Sequence, residues 1–104
     1  MPDDILATLT YETARDLVGR TYRVDVGGRS IELTVTRVIR AAEDRPRAPE
    51  FKRDAFSIFF RGPADVLLPQ RMYTLISETE TFPHLFIVPV GRKSDAYEYE
   101  AVFT

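Results

Sequence analysis

At 104 residues and 11.9 kDa the chain has the length of a single domain, spanning 1–104. It is long enough to bury a core, though a shallow one. A net charge of −2 argues against a nucleic-acid binder driven by phosphate contacts and against attraction to an anionic membrane, while the lack of cysteine excludes disulfides, thiolate metal sites and a cysteine nucleophile.

The N-terminal Met1-Pro2-Asp3-Asp4 is acidic, and no basic segment leads into an apolar stretch, so no signal peptide is expected. No apolar run approaches the ~18 residues that span a bilayer. A cytoplasmic protein is the expectation.

Thr10 to Val18 reads as a short helix. Thr10 can accept a free backbone N–H as N-cap, and Glu12 sits near the positive end of the dipole. Tyr11, Ala14, Leu17 and Val18 share one face, and Gly19 is the stop signal.

Thr21 to Val26 and Ser30 to Val35 read as a β-hairpin around Gly27-Gly28, where positive φ carries no steric cost. Setting Val26 opposite Arg29 pairs Val24 with Ile31 and Tyr22 with Leu33 on one face. Arg23 then meets Glu32 on the other as an opposite-charge pair. A slip of one residue would destroy both matches. The alternation breaks at Arg37, which predicts a bulge or bend there.

Residues 41–53 carry two prolines, dense charge and one large apolar residue, Phe51, and read as a long, mobile loop. Ala55 to Arg61 reads as a strand buried on both faces, with Phe56, Ile58 and Phe60 on one side and Phe59 on the other, ended by Gly62-Pro63. Residues 64–70 form a second connection. Arg71 to Ser77 is a strand and 78–83 a turn. His84 to Gly91 and Ala96 to Phe103 read as a closing hairpin with 92–95 as its loop. Val90 is then expected opposite Tyr97, Val88 opposite Tyr99 and Phe86 opposite Ala101. Pro89 cannot donate to a ladder, so its strand should be an edge or be kinked.

Six strands and one helix in hairpin order predict a mainly β domain: an antiparallel small barrel or rolled sheet, with the short N-terminal helix over one open end.

Several segments resemble a known family. They are Leu17-Val18-Gly19 with Tyr22-Arg23-Val24, then Phe56-Ser57-Ile58-Phe59-Phe60-Arg61-Gly62-Pro63, Leu68-Pro69-Gln70 and Tyr73. Val88-Pro89-Val90-Gly91 and the run from Tyr97 to Phe103 complete the pattern. Together, over residues 9–40 and 54–103 but not 41–53, they resemble a family of uncharacterised bacterial proteins of about this length. The resemblance implies a stand-alone compact domain without an assigned activity. Such proteins are similar to neighbours of phage-tail-collar-like genes, which implies an accessory role in assembling or presenting another protein.

Candidate sites are few. Arg61, before Gly62-Pro63, could clamp a carboxylate or phosphate, or could simply pair with a nearby acid. Leu67 and Leu68 beside Pro69 could form a docking knob, or tuck back to plug the barrel. Gln70 and Arg71 could add directional donors, although a lone amide usually satisfies loop backbone groups. His84 is the only histidine and lacks partners in sequence. Glu98 and Glu100, with Glu78 and Glu80, could be paired carboxylates, but alternation on a solvated face explains them. Ser30, Ser57, Ser77 and Ser94 lie in no nucleophile context, and no phosphate-cradling glycine loop exists.

No catalytic residue, metal ligand or cofactor is therefore assigned. The expected function is a non-enzymatic binding or assembly module. It would engage a protein partner through Arg61, Leu67, Leu68, Gln70 and Arg71, with self-association through an edge strand at 84–91 as a further option. A small-molecule-binding barrel is the alternative, and an enzyme comes last. A flat apolar patch would favour the first, a closed tyrosine-lined pocket the second, and His84 clustered with carboxylates the third.

Overall fold

The computed structural model describes residues 9–40, 55–93 and 95–103. The expected loop at 41–53 lies outside the described residues.

Helix α1 spans Tyr11–Arg15, shorter than its sequence pattern. Thr10 and Thr13 cap each other: the Thr10 hydroxyl accepts the Thr13 N–H at 3.2 Å, and the Thr13 hydroxyl accepts the Thr10 N–H at 3.0 Å. After Arg15 the chain tightens into i→i+3 bonds, including Leu17 N–H to the Ala14 carbonyl at 2.9 Å. Gly19, at φ 94°, turns it away, and its N–H meets the Val35 carbonyl at 2.8 Å.

Strands β1 (Thr21–Val26) and β2 (Arg29–Arg40) pair in the expected register, with Val24 opposite Ile31, Tyr22 opposite Leu33 and Arg23 opposite Glu32. Gly27 and Gly28 have φ of 57° and 80°, the primed turn that matches strand twist. Strand β3 (Phe56–Pro63) pairs with β2, and the ladder shifts between Val35 and Arg37, which leaves Thr36 as the bulged residue.

Gly62-Pro63 does not end β3 as expected, because both residues pair with the last strand, opposite Tyr97 and Ala96. The β2 ladder stops at Arg61, so the nitrogen of Pro63 has no neighbour to serve on that side. Gly62 is required for space. A Cβ there would lie 2.9 Å from Leu33 Cδ2 and 3.1 Å from Tyr99 Cε2.

Strands β4 (Arg71–Ile76), β5 (Thr81–Lys93) and β6 (Ala96–Phe103) complete the set. The turn expected at 78–83 is shorter. Ser77 Oγ accepts the Thr79 and Glu80 N–H groups, and β5 begins at Thr81. Pro83 and His84 together oppose the single residue Thr74, and His84 takes the left-handed φ of 56°. The bulge sets the place of His84.

The closing hairpin also differs. Lys93 pairs with Ala96, so the turn is two residues long, and Val90 is a bulge between the Pro89–Tyr99 and Gly91–Glu98 pairs. Val88 therefore opposes Glu100 rather than Tyr99. The slip exchanges faces: Leu85 and Ile87 are buried, whereas Phe86 and Val90 are exposed. Pro89 pairs with Tyr99 of β6 beside the Val90 bulge, beyond Ile87 where the β4 ladder stops. Of the residues expected to form an edge, 85–87 pair with β4 and 88–91 with β6, so the strand passes from one neighbour to the other within the closed barrel.

The sheet closes as an antiparallel barrel in the order β1-β2-β3-β6-β5-β4. β3 and β4 stand on opposite walls, so residues 64–70 must cross one mouth of the barrel. α1 packs on β2 at the other mouth. There Tyr11 meets Phe56 edge-on, and Phe56 stacks on Phe103 at 4.9 Å. The interior is filled by inward side chains that include Tyr22, Leu33, Phe60, Leu75, Phe82, Ile87 and Tyr99. β1 and β4 share a single bridge, Arg23–Ile76. Glu80 strengthens that seam from the β4–β5 turn, accepting from Arg20 at 3.0 Å and from the Tyr22 hydroxyl at 2.6 Å.

Candidate functional site

Three features could meet a partner: the crossing segment 64–70, a polar trough over β2, β3 and β6, and an apolar wall over β4, β5 and β6.

The crossing segment is fastened from inside. The Leu68 N–H donates to the Tyr99 hydroxyl at 3.0 Å, and the Tyr73 hydroxyl donates to the Pro69 carbonyl. Burial raises both phenols above their ordinary range, so they remain neutral donors near pH 7. Leu68 is 1% exposed and plugs the mouth, whereas Leu67 is 53% exposed and points outward. Asp65 accepts from Arg29 at 2.7 Å and so ties the segment to the first hairpin. That bond holds the Asp65 carboxyl below the usual carboxylate range.

Arg61 projects from the outer face of β3, where its strand neighbours are Thr34 and Glu98. It donates to Asp95 at 2.9 Å in the β5–β6 turn, and both side chains are exposed. It also lines two open clefts of about 590 and 430 Å³ that share Thr36, Arg61 and Asp95 and form one trough. Arg37 lies 4.1 Å over the Phe59 ring and donates to Glu98 at 3.2 Å.

The five residues expected to act together do not form one cluster. Arg61 belongs to the trough, Leu68 to the interior and Leu67 to the mouth. Gln70 and Arg71 are exposed beside the start of β4, on the wall opposite β3. The paired-carboxylate reading also separates: Glu98 serves Arg37, Glu80 serves Arg20 and Tyr22, and Glu100 stands between Phe59 and Val88 in the ladders. Among the described residues, no group of three His, Asp or Glu side chains could hold a metal ion.

The wall is the feature that sequence reasoning missed. Met72 and Phe86 are direct partners across β4 and β5, 54% and 46% exposed, and Val102 on β6 is 62% exposed. Val90, at the bulge of β5, is exposed as well. The signal is the alternation of Phe86 and Val88 with Leu85 and Ile87, and because both sets are apolar it does not tell the inner face from the outer.

No helix among the described residues is long and apolar enough to cross a membrane. No curated protein and no solved structure matches the chain. A family model does match, over residues 9–103, and its continuous span takes in the 41–53 loop that the segment-by-segment resemblance left out. The chain belongs to the family described as Domain of unknown function (DUF6916).

Proposed function

We propose that this domain is a non-enzymatic binding or assembly module that holds a protein partner against its β4–β5–β6 wall. The observation that carries the reading is the exposed Met72–Phe86 pair across β4 and β5, with Val90 of β5 and Val102 of β6 also exposed. Contiguous exposed apolar area is costly in a soluble protein and commonly marks a contact surface. The filled interior supports this reading over a ligand-binding barrel, since Tyr22, Phe60, Phe82 and Tyr99 occupy the space a small molecule would need. The family resemblance adds an accessory role beside a phage-tail-like or surface protein in a bacterial cytoplasm.

The test is co-purification of the tagged domain from its native host, comparing wild type with Phe86→Ser and Val102→Ser. A specific partner should be retained by the wild type and lost by both variants, with thermal unfolding little changed. Equal retention by folded variants would remove the wall from the contact.

A further inference from the structure

We infer that the open half of the β1–β4 seam takes a β-strand from a protein partner, added along the free side of β4 with an apolar side chain opposite Met72. The inference rests on the binding-module reading and gives the β4 end of the apolar wall its occupant.

β1 and β4 meet at the Arg23–Ile76 bridge, and Glu80 fastens the seam at Arg20 and Tyr22. From the bridge towards the 64–70 mouth, residues 24–26 and 71–75 share no pairing. The Pro83–His84 bulge opposite Thr74 adds local twist, and β4 parts from β1 at this point.

Backbone N–H and C=O groups alternate between the two sides of a strand, so the bonds already made fix which groups face the opening. The Val35 N–H bonds the Arg20 carbonyl, and Val26 pairs with Arg29 across a two-residue turn, so Arg23 and Asp25 face away from β2 and towards β4. The Ser77 N–H bonds the Glu80 carbonyl, so Leu75 and Tyr73 face β5, whereas Ile76, Thr74 and Met72 face β1. Ile76 uses these groups in the bridge. Those of Met72, Thr74 and Asp25 have no hydrogen-bond partner among the described residues. Met72 and Thr74 thus present two donors and two acceptors at the ~6.6 Å repeat of a strand. An extended peptide backbone matches that repeat, which a small anion or a flat ring does not.

Side chains agree with the backbone. Met72 to Ile76 contains no charge and no proline, the usual guards of an open edge. Met72 and Thr74 are exposed, and Met72 is paired with the exposed Phe86. A residue set opposite Met72 on an added strand shares its outer face, so an apolar side chain there extends the Met72–Phe86 pair. Alternate positions of that strand point towards the filled interior, which favours small side chains.

The experiment is NMR on the full chain. In the free protein the Met72 and Thr74 amides should exchange with solvent much faster than those of Tyr73 and Leu75. The probe is an acetylated peptide of alternating valine and serine with a lysine at each end, compared with versions N-methylated at the valines or at the serines. The unmethylated peptide should give saturable shifts centred on Met72 and Thr74 and slow the exchange of both amides. Valine methylation removes the donors that face β4 and should weaken binding about tenfold or more. Serine methylation alters the far edge and should leave binding nearly unchanged. Met72→Ser should weaken binding several-fold, and Val102→Ser, on β6, not at all. The inference is overturned if Met72 and Thr74 are as protected as Tyr73 and Leu75 in the free protein, if the peptide fails to saturate, if the two methylated peptides bind alike, or if folded Met72→Ser binds as wild type. Protection of both amides that grows with protein concentration would give the seam to a second copy of the chain and likewise overturn it. Wall variants that lose the native partner while the peptide fails to bind would remove the seam and keep the wall. Peptide binding as described, with native partner capture unchanged in the wall variants, would remove the wall and keep the seam.

Discussion

The Tyr99 hydroxyl and the Leu68 N–H meet at 3.0 Å inside the barrel mouth, 31 residues apart in the chain. The same hydroxyl faces the Val66 carbonyl at 3.4 Å. A segment that must cross from β3 to β4 has no ladder of its own, so its backbone groups need partners of another kind. Tyr99→Phe removes the acceptor while keeping the ring. The Leu68 N–H is then buried without a partner, and the expected loss is about 1–3 kcal/mol in urea denaturation. A loss below ~0.5 kcal/mol would show that the bond does not hold the segment.

Neighbouring leucines should respond oppositely. Leu68 is fully packed, so Leu68→Ala should cost about 2–5 kcal/mol. Leu67 and Arg61 are exposed, and Leu67→Ala or Arg61→Ala should each stay within about 0.5 kcal/mol of wild type. Thermal and denaturant unfolding of the three variants decides the matter. A large loss in Leu67→Ala would make that side chain part of the plug and withdraw it from any docking role.

The two halves of the barrel were not equally legible. The first hairpin could be read because its Gly27-Gly28 turn, its Val24–Ile31 match and its Arg23–Glu32 pair all demanded one register. The bulge at Thr36 was visible as a phase break. The second hairpin offered no such agreement: Phe86, Val88 and Val90 are as apolar as Leu85 and Ile87, so alternation alone could not tell inside from outside. The Val90 bulge then moved the pairing by one. Arg61 was singled out by its place beside Gly62-Pro63, yet its trough depends on β6 lying next to β3, a long-range pairing with no local signature.

Gly62 offers a direct check on that pairing. Its missing Cβ leaves room for Leu33 from β2 and the Tyr99 ring from β6, both inside the barrel. Gly62→Ala would place a methyl 2.9 Å from Leu33 Cδ2, which forces one neighbour to move. Overpacking of this kind typically costs about 1–3 kcal/mol. Gly91 has open space around it, and Gly91→Ala serves as the control. Equal stability of the two variants would mean that β3 does not approach the core as closely as described.

The seam between β1 and β4 should make stability fall at alkaline pH. Burial raises the Tyr22 hydroxyl well above its ordinary value, and its bond to the Glu80 carboxylate adds to the shift. In the unfolded chain the same phenol titrates near pH ~10. Above that pH the unfolded state has lost its proton while the folded state retains it, so unfolding is favoured as pH rises. The stabilisation from Tyr22 is complete below pH ~10 and is lost as pH climbs towards the folded value. Tyr73 and Tyr99 are shifted the same way by burial and add to the trend. Tyr22→Phe should therefore lower stability at pH 7 by about 1.5–3 kcal/mol, the range for a hydrogen bond to a charged group. It should also flatten the decline between pH ~10 and ~11.5 by up to ~1.4 kcal/mol per pH unit, the linkage of one proton. Arg20 contacts Glu80 at 3.0 Å independently of the Tyr22 hydroxyl, so the variant retains the ion pair of the seam. Urea midpoints measured every half unit of pH for wild type and Tyr22→Phe give both numbers. Parallel curves would show that Tyr22 ionises alike in both states and that the seam is closed by the Arg20–Glu80 pair and the Arg23–Ile76 bridge alone.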